Sequence, residues 1–148
     1  ENELHFLHNT LLSYVAGHYI TGVYLRFDST KKILYYAYAG HHTVVLIREN
    51  EILELEGKGT PLLLMKDFIT KVNEISIRNG DRLFLFSDGL FEIFSPENEF
   101  YGSEKFLTNV KQEIHLQGND FLKAISDTSI RFSTNVVKDD MTMLLIEF

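Results

Sequence analysis

The spacing of hydrophobic positions changes twice along this chain and divides it into helical and strand-forming regions. Between residues 3 and 16, apolar residues such as Leu4, Leu7 and Leu11 recur at the period of one helix face. From residue 19 to residue 87, β-branched and aromatic residues dominate, and short turn signals interrupt them. Helical spacing returns after residue 102, and a last apolar run over 141–148 predicts a final strand. Because hairpin-like connections dominate, we expect an α+β fold with antiparallel sheets.

The boundaries of the predicted elements follow from the same pattern. Strands are expected at residues 19–27, 33–39, 43–47, 52–55, 72–77 and 82–87. The first four are expected to form a meander, and Asn79-Gly80 predicts a hairpin between the last two, since both residues tolerate positive φ. Residues 57–68 are expected to form a loop packed on the core. Ser103 and Asn119 are expected to cap two helices, with Phe121 and Ile125 on the buried stripe of the second.

Composition limits the classes of protein to consider. The 148 residues are 45% hydrophobic and 24% charged, which suits one globular domain over residues 1–148. The net charge of -7, without a basic patch, argues against a nucleic-acid partner. The apolar runs are shorter than the roughly 20 residues of a membrane helix, so we expect no membrane contact and a cytoplasmic location. The chain starts at Glu1 without methionine, so we expect it to be part of a longer protein.

Acidic residues stand where two predicted strands begin or end. Asp88 directly follows the strand at 82–87, and Asp139-Asp140 directly precede the last strand. Carboxylates on rigid elements are suitable ligands for a hard cation such as Mg²⁺ or Mn²⁺. Each of them could equally be an ordinary turn or surface acid. If the two strand ends meet, however, the concentrated negative charge must be compensated by a cation or a proton, and the sequence predicts a metal site there.

Other polar residues are weaker candidates. His41 and His42 suggest zinc, but no third ligand has a recognisable spacing. Glu92 could orient a metal-bound water or lie in an exposed loop. His8 and Arg48 are expected at the solvated surface.

Six short motifs occur in order along the chain and resemble one protein family. The motifs are Tyr38-Ala39-Gly40-His41, Gly59-Thr60-Pro61-Leu62, Asn79-Gly80-Asp81, Phe86-Ser87-Asp88-Gly89-Leu90-Phe91-Glu92, Tyr101-Gly102 and Asp139-Asp140-Met141-Thr142. The ordered set resembles the SpoIIE/RsbU-like branch of the type 2C metal-dependent protein serine/threonine phosphatases. The resemblance implies an α-β-β-α sandwich of two antiparallel sheets flanked by helices. It also implies two Mn²⁺ or Mg²⁺ ions that activate a water toward phosphoserine or phosphothreonine.

The resemblance assigns roles to particular residues. Asp88 and Asp139 match catalytic metal ligands, with Asp140 and the backbone of Gly89 as further candidates. The family's N-terminal Gly-Asp motif, whose Asp bridges both ions, has no match here. The resemblance therefore implies a domain that lacks its N-terminal strands, and a fragment that is inactive alone.

Three functions are consistent with this sequence. The first is a bacterial signalling phosphatase acting on a phosphorylated protein, such as an anti-sigma-factor antagonist. The second is a pseudo-phosphatase or regulatory interaction module with the same fold, and the third is a metal-free binding domain. Exposed sheet edges also predict a possible homodimer.

Overall fold

The computed structural model describes residues 2–15, 17–134 and 139–148. The α-helices and strands are α1 (Asn2–Leu12), β1 (Gly22–Asp28), β2 (Ile33–Ala39), β3 (Val44–Arg48), β4 (Glu51–Leu55), β5 (Asn73–Ser76), β6 (Arg82–Phe86), α2 (Gly102–Glu113), α3 (Gly118–Phe132) and β7 (Met143–Glu147). The chain divides into two compact units. The first comprises Glu1–Thr43 and Leu55–Asn79, and the second comprises Val44–Glu54 and Gly80–Phe148.

The first unit contains a three-stranded antiparallel sheet in the order β1-β2-β5. A tight turn joins β1 to β2, and the Asp28 carboxylate accepts hydrogen bonds from the backbone N–H groups of Thr30 and Lys31 at 3.0 Å. These bonds lower the pKa of Asp28, the bond from Lys31 most. Helix α1 ends at Leu12, earlier than predicted, and residue 16 lies outside the described residues.

Helix α1 is attached to the 62–68 segment through a buried histidine. His8 is only 1% exposed, and its Nδ1 accepts a hydrogen bond from the backbone N–H of Leu63 at 3.2 Å. Its Nε2 lies 3.3 Å from the carbonyl oxygen of Lys66, and its ring stacks on Phe68. The expectation of a surface position for His8 was therefore wrong, because helical spacing alone does not show which face a loop covers. Leu4 joins Leu63 and Phe68 in this core, as expected for a loop packed on it.

Tyr38 fills the space beside two glycines of the same unit. The Tyr38 side chain is buried, and its hydroxyl donates a hydrogen bond to the carbonyl oxygen of Leu55 at 2.6 Å. A Cβ atom at Gly57 would lie 2.4 Å from the Tyr38 ring. A Cβ atom at Gly59 would lie 1.8 Å from the carbonyl oxygen of Tyr38, which already accepts a 2.7 Å hydrogen bond from Thr70. Glycine is therefore required at both positions for steric reasons.

The second unit contains a four-stranded antiparallel sheet in the order β4-β3-β6-β7. Strand β6 is central, as its apolar sequence predicts. The hairpin expected at Asn79-Gly80 was wrong, because β5 and β6 belong to different sheets. The predicted meander is likewise divided, with β1 and β2 in one sheet and β3 and β4 in the other. Local turn preference does not determine which strands pair.

Helices α2 and α3 pack on the core of this second sheet. Phe106, Val110, Phe121 and Ile125 are all fully buried in one cluster, which confirms the predicted burial of Phe121 and Ile125. The predicted caps were wrong, because the helices begin at Gly102 and Gly118 and enclose Ser103 and Asn119 within their first turns.

The C-terminal end of α2 is held by Arg82. Its guanidinium donates hydrogen bonds to the carbonyl oxygens of Ile114 and Leu116, and it lies 5.6 Å from the centre of the Phe121 ring. Carbonyl groups at a helix end need such donors. Burial lowers the pKa of Arg82.

A buried ion pair joins β3 to the start of β6. The β3–β6 register pairs Ile47 with Arg82, which places Arg48 beside Asp81. The Arg48 Nε and Nη2 atoms donate to the two carboxylate oxygens of Asp81 at 3.0 and 2.7 Å, and the Asp81 side chain is 2% exposed. These hydrogen bonds raise the pKa of Arg48. Arg48 is therefore a structural residue, and the expectation that it is solvated was wrong.

The two antiparallel sheets and three α-helices of the described residues confirm the α+β fold class. No helix in the described part of the chain is long and apolar enough to cross a membrane. Among the described strands, β1, β4, β5 and β7 are the outer ones of their sheets. Pairing of one of these edges with a second copy stays a prediction.

Candidate active site

The ends of β6 and β7 are held together by Ser87, the residue just after β6. The register pairs Phe86 with Met143, so Ser87 stands opposite Thr142. The Ser87 N–H donates to the Thr142 carbonyl oxygen at 2.9 Å, and its hydroxyl accepts a hydrogen bond from the Thr142 N–H at 2.9 Å. The same hydroxyl donates to the carbonyl oxygen of Asp140 at 2.9 Å. These bonds bring the backbone before Asp88 to the backbone after Asp139.

Gly89 brings the two acidic segments into van der Waals contact. A Cβ atom at this position would lie 2.4 Å from the carbonyl oxygen of Asp140 and 3.5 Å from the carbonyl carbon of Asp139. Only a residue without a side chain therefore fits there. The structure thus places Asp88-Gly89 and Asp139-Asp140 against each other at one end of the sheet, a contact that the sequence left open.

Replacing Gly89 by alanine is expected to lower the free energy of unfolding by about 1–3 kcal/mol, because the new methyl group must displace backbone atoms. We also expect weaker Mn²⁺ binding, since the displaced atoms belong to Asp140. Urea denaturation and calorimetric Mn²⁺ titration of the full-length protein measure the two effects. Gly22→Ala is the matched control, because a Cβ atom there meets nothing within 4 Å. Equal stability of the two variants would contradict the close approach at Gly89.

The backbone of Asp88 is fixed by a short 3-10 helix, Asp88–Leu90. The Asp88 carbonyl oxygen accepts hydrogen bonds from the N–H groups of Phe91 and Glu92 at 2.9 and 2.8 Å. Leu90 and Phe91 are buried in the core of the second unit, which anchors this helix. Asp88 is therefore held on a rigid support while its side chain faces solvent.

The carboxylates of Asp88, Asp139 and Asp140 are all exposed. One oxygen of Asp139 accepts a hydrogen bond from the Asp140 N–H at 2.8 Å. Ionised carboxylates are hard oxygen donors, and they fit Mg²⁺ or Mn²⁺ far better than a soft metal. Within residues 2–15, 17–134 and 139–148, however, no three His, Cys, Asp or Glu side chains converge on one point. The carboxylates of Asp88, Asp139 and Asp140 fit a hard cation by their chemistry. Such an ion would need further ligands, either water molecules or other protein groups.

The histidine candidates do not form a metal site in the described parts of the chain. His41 and His42 are half-buried neighbours whose ring centres lie 4.0 Å apart. The Nδ1 atom of His41 lies 2.8 Å from the carbonyl oxygen of His42, so a backbone contact already engages it. The structure therefore gives no support to the zinc alternative.

Sequence reasoning missed a hairpin beside the acidic segments, formed by residues 91–102. Backbone hydrogen bonds join Tyr101 N–H to Ile93 O at 3.0 Å and Ser95 N–H to Glu99 O at 2.9 Å. A cavity of about 300 Å³ opens between this hairpin, the end of α3 and Asp139. The described residues that line it are Glu92, Ile93, Phe94, Ser95, Pro96, Ser133, Thr134 and Asp139. The turn-forming run from Ser95 to Asn98 between apolar residues was the available signal.

Comparisons with known proteins identify the family of this chain. The family model of stage II sporulation protein E (SpoIIE) matches residues 2–148. The phosphoserine phosphatase RsbU of Bacillus subtilis (strain 168) is 26% identical over 133 residues, which make up 88% of this chain and 39% of RsbU. The chain thus spans well under half the length of that curated relative.

Solved structures share the fold. The SiaA-PP2C domain of Pseudomonas aeruginosa aligns with a TM-score of 0.82 at 17% identity, over 98% of this chain and 59% of that one. The RsbU and RsbW domains of a Mycobacterium tuberculosis protein give 0.79 at 20% identity, over 99% and 41%. The phosphatase domain of Bacillus subtilis SpoIIE, presoaked with Mn, gives 0.66 at 17% identity, over 99% and 74%. At these identities the likeness establishes the fold of the chain.

Proposed function

The chain belongs to the stage II sporulation protein E (SpoIIE) family, and on that premise we propose that the protein containing it is a metal-dependent protein serine/threonine phosphatase. We propose a phosphorylated signalling protein as the substrate, for example an anti-sigma-factor antagonist. The name of the RsbU relative, a phosphoserine phosphatase, supports this reaction class. The proposal concerns the full-length protein, because the chain spans only 39% of that relative.

The observation that carries the proposal is the contact between the Asp88 and Asp139 segments. Gly89 packs against the Asp140 carbonyl group, and the Ser87 hydroxyl bonds to the same group, so both acids are held at one sheet end. A phosphate monoester dianion would be repelled by such carboxylates unless cations neutralise them. Substrate binding at this end of the sheet therefore depends on a bound cation.

We propose that Asp88 and Asp139 hold Mn²⁺ or Mg²⁺, with Asp140 and the Gly89 carbonyl group as further candidate ligands. In a complete domain of this family, two ions lower the pKa of a bound water and polarise the phosphoryl oxygens. The chain's own contribution is positional. The 3-10 helix fixes the backbone of Asp88, and the Asp140 N–H orients the Asp139 carboxylate through its 2.8 Å hydrogen bond. The backbone of Asp88 and the carboxylate of Asp139 are thus fixed before an ion binds.

Metal dependence tests this function directly. Purified full-length protein is expected to release phosphate from a phosphoserine peptide in the presence of Mn²⁺, and to lose that activity in EDTA. Adding excess Mn²⁺ after EDTA should restore it, because the exposed carboxylates can be loaded from solution. Phosphate release is measured colorimetrically, with Ca²⁺ as a control ion of different size. Hydrolysis that persists in EDTA, or no hydrolysis with either Mn²⁺ or Mg²⁺, would contradict the proposal.

A non-catalytic regulatory module is the second candidate. It is favoured by one observation, that no three potential ligand side chains converge among the described residues. Such a module would bind phosphorylated protein without hydrolysing it. In the phosphate-release assay, it would give no phosphate with either metal. A separate binding measurement would show that it binds the phosphoserine peptide.

A further inference from the structure

The hairpin of residues 91–102 presents an aromatic pair to solvent. Phe94 and Phe100 stand opposite each other on its two arms, with ring centres 5.1 Å apart. Their side chains remain 47% and 49% exposed, although each ring packs on the other. Apolar area of this kind gains free energy when a partner covers it. Phe94 and Phe100 therefore form an exposed apolar surface on which another apolar side chain can pack.

The hairpin is ordered before any partner arrives. Its arms are joined by hydrogen bonds from Gly102 N–H to Phe91 O at 2.9 Å and from Tyr101 N–H to Ile93 O at 3.0 Å. Its tip is closed by the 2.9 Å bond from Asn98 N–H to Ser95 O. A surface that is fixed in advance loses little conformational entropy on binding.

The cavity links this aromatic pair to the candidate active site. Phe94 and Pro96 lie on its hairpin side, Ser133 and Thr134 at the end of α3, and Asp139 also lines it. Its volume of about 300 Å³ is at the lower end for a small-molecule pocket. It suits one or two side chains of a polypeptide whose phosphorylated residue reaches Asp139.

The charge of the hairpin indicates which polypeptide fits. Residues 91–102 include Glu92, Glu97 and Glu99 and no lysine or arginine. The next basic residue, Lys105, donates a 3.3 Å hydrogen bond to the Phe100 carbonyl oxygen and lies over the Phe132 ring. Glu92 lines the cavity, so a basic side chain entering it meets an opposite charge.

We propose that the hairpin of residues 91–102 binds the substrate polypeptide next to its phosphorylated residue. An apolar side chain of the substrate covers Phe94 and Phe100, and a neighbouring lysine or arginine pairs with Glu92. This assignment rests on the proposed phosphatase function, because it places the phosphorylated residue at Asp88 and Asp139. It makes Phe94 and Phe100 specificity-determining residues, which act on substrate choice and leave the chemical step unchanged, while Glu92 selects a basic side chain.

The experiment compares two phosphoserine peptides and one small substrate on the full-length protein with Mn²⁺. One peptide carries leucine and arginine on both sides of the phosphoserine, and the other carries serine and glutamate. p-Nitrophenyl phosphate carries no polypeptide residues beside its phosphate and serves as the reference substrate. We expect kcat/KM to be about tenfold higher for the leucine-arginine peptide, since covering half-exposed aromatic rings has an effect of this size. The double variant Phe94→Ala/Phe100→Ala should lose this preference while hydrolysing p-nitrophenyl phosphate as before.

Matched variants separate the hairpin from general surface effects. Phe27→Ala removes a phenylalanine of comparable exposure, 37%, in the first unit and should keep the preference. Glu92→Gln should weaken selection for arginine about threefold, whereas Glu97→Gln, outside the cavity lining, should change it much less. A preference retained by the double variant, or equal kcat/KM for the two peptides on the natural protein, would overturn the proposal.

A binding measurement distinguishes failure of this proposal from failure of the proposed function. Fluorescence anisotropy of labelled, unphosphorylated versions of both peptides is measured without metal, so it depends neither on hydrolysis nor on phosphate binding. Selective binding that the double variant loses, without hydrolysis of any substrate, would support the hairpin's role and reject phosphatase activity. Hydrolysis without peptide selectivity in either assay would reject the hairpin's role and leave the phosphatase function standing.

Discussion

Replacing Asp88 by asparagine is expected to lower Mn²⁺-dependent phosphoserine hydrolysis by the full-length protein at least about 100-fold. Asparagine has nearly the same size but no charge, so it binds a hard cation much less strongly. The fold should be unaffected, because residue 88 serves the structure through its backbone carbonyl group, which accepts the hydrogen bonds from Phe91 and Glu92. Initial rates measure the loss of hydrolysis, and calorimetric Mn²⁺ titration measures the loss of metal affinity.

The control for this variant is another exposed aspartate. Asp127 lies on α3, and Asp127→Asn should leave both the rate and the Mn²⁺ affinity unchanged. Asp139→Asn should resemble Asp88→Asn if the two acids serve one site. Full activity of Asp88→Asn, with an unchanged Mn²⁺ titration, would remove Asp88 from the site.

Replacing Asp81 by alanine is expected to destabilise the protein by about 1.5–3 kcal/mol, because the part-buried Arg48 guanidinium loses two charge-assisted hydrogen bonds. Arg48 keeps its charge at every accessible pH, and only 16% of its side chain is exposed. Two donated hydrogen bonds, at 3.0 and 2.7 Å, are lost together. The midpoint of urea denaturation measures the loss, and an unchanged slope would assign it to the folded state.

Two comparison variants show whether the ion pair itself carries the stability. The double substitution Arg48→Met/Asp81→Leu removes both charges and should recover most of the lost free energy. Lys31→Ala removes the partner of Asp28 in an exposed pair, where the Lys31 side chain is 65% exposed, and should cost less than about 1 kcal/mol. If Asp81→Ala lowered the free energy of unfolding no more than Lys31→Ala, the Arg48–Asp81 pair would contribute no more to stability than an exposed ion pair.

The sequence predicted that Asp88 and Asp139-Asp140 stand at the ends of strands, because this information is local. An apolar strand, then Asp88-Gly89, and a second acidic pair before another apolar strand are each visible within a few residues. Their meeting depends on β6 and β7 being neighbours, and the two strands pair over their full lengths. The order of the six motifs along the chain also pointed to the family whose model matches residues 2–148.

Other features could not be predicted because they depend on contacts between distant residues. Arg48 and Asp81 are 33 positions apart, and only the β3–β6 register makes them partners. Asn79-Gly80 has the local preference of a hairpin, yet β5 pairs with β2 and β6 with β3 and β7. Phe94 and Phe100 resemble core residues in the sequence, and their exposure follows only from how the hairpin is placed on the second unit.

The two glycines beside Tyr38 differ in how much freedom they leave to evolution. The atoms that exclude a side chain at Gly57 belong mainly to the Tyr38 ring, so a smaller residue at 38 could compensate for a larger one at 57. At Gly59 the obstacle is the main-chain oxygen of residue 38, which every amino acid carries. A smaller side chain at position 38 can therefore compensate for a larger one at position 57 during evolution. At position 59, no substitution of residue 38 removes the obstructing oxygen.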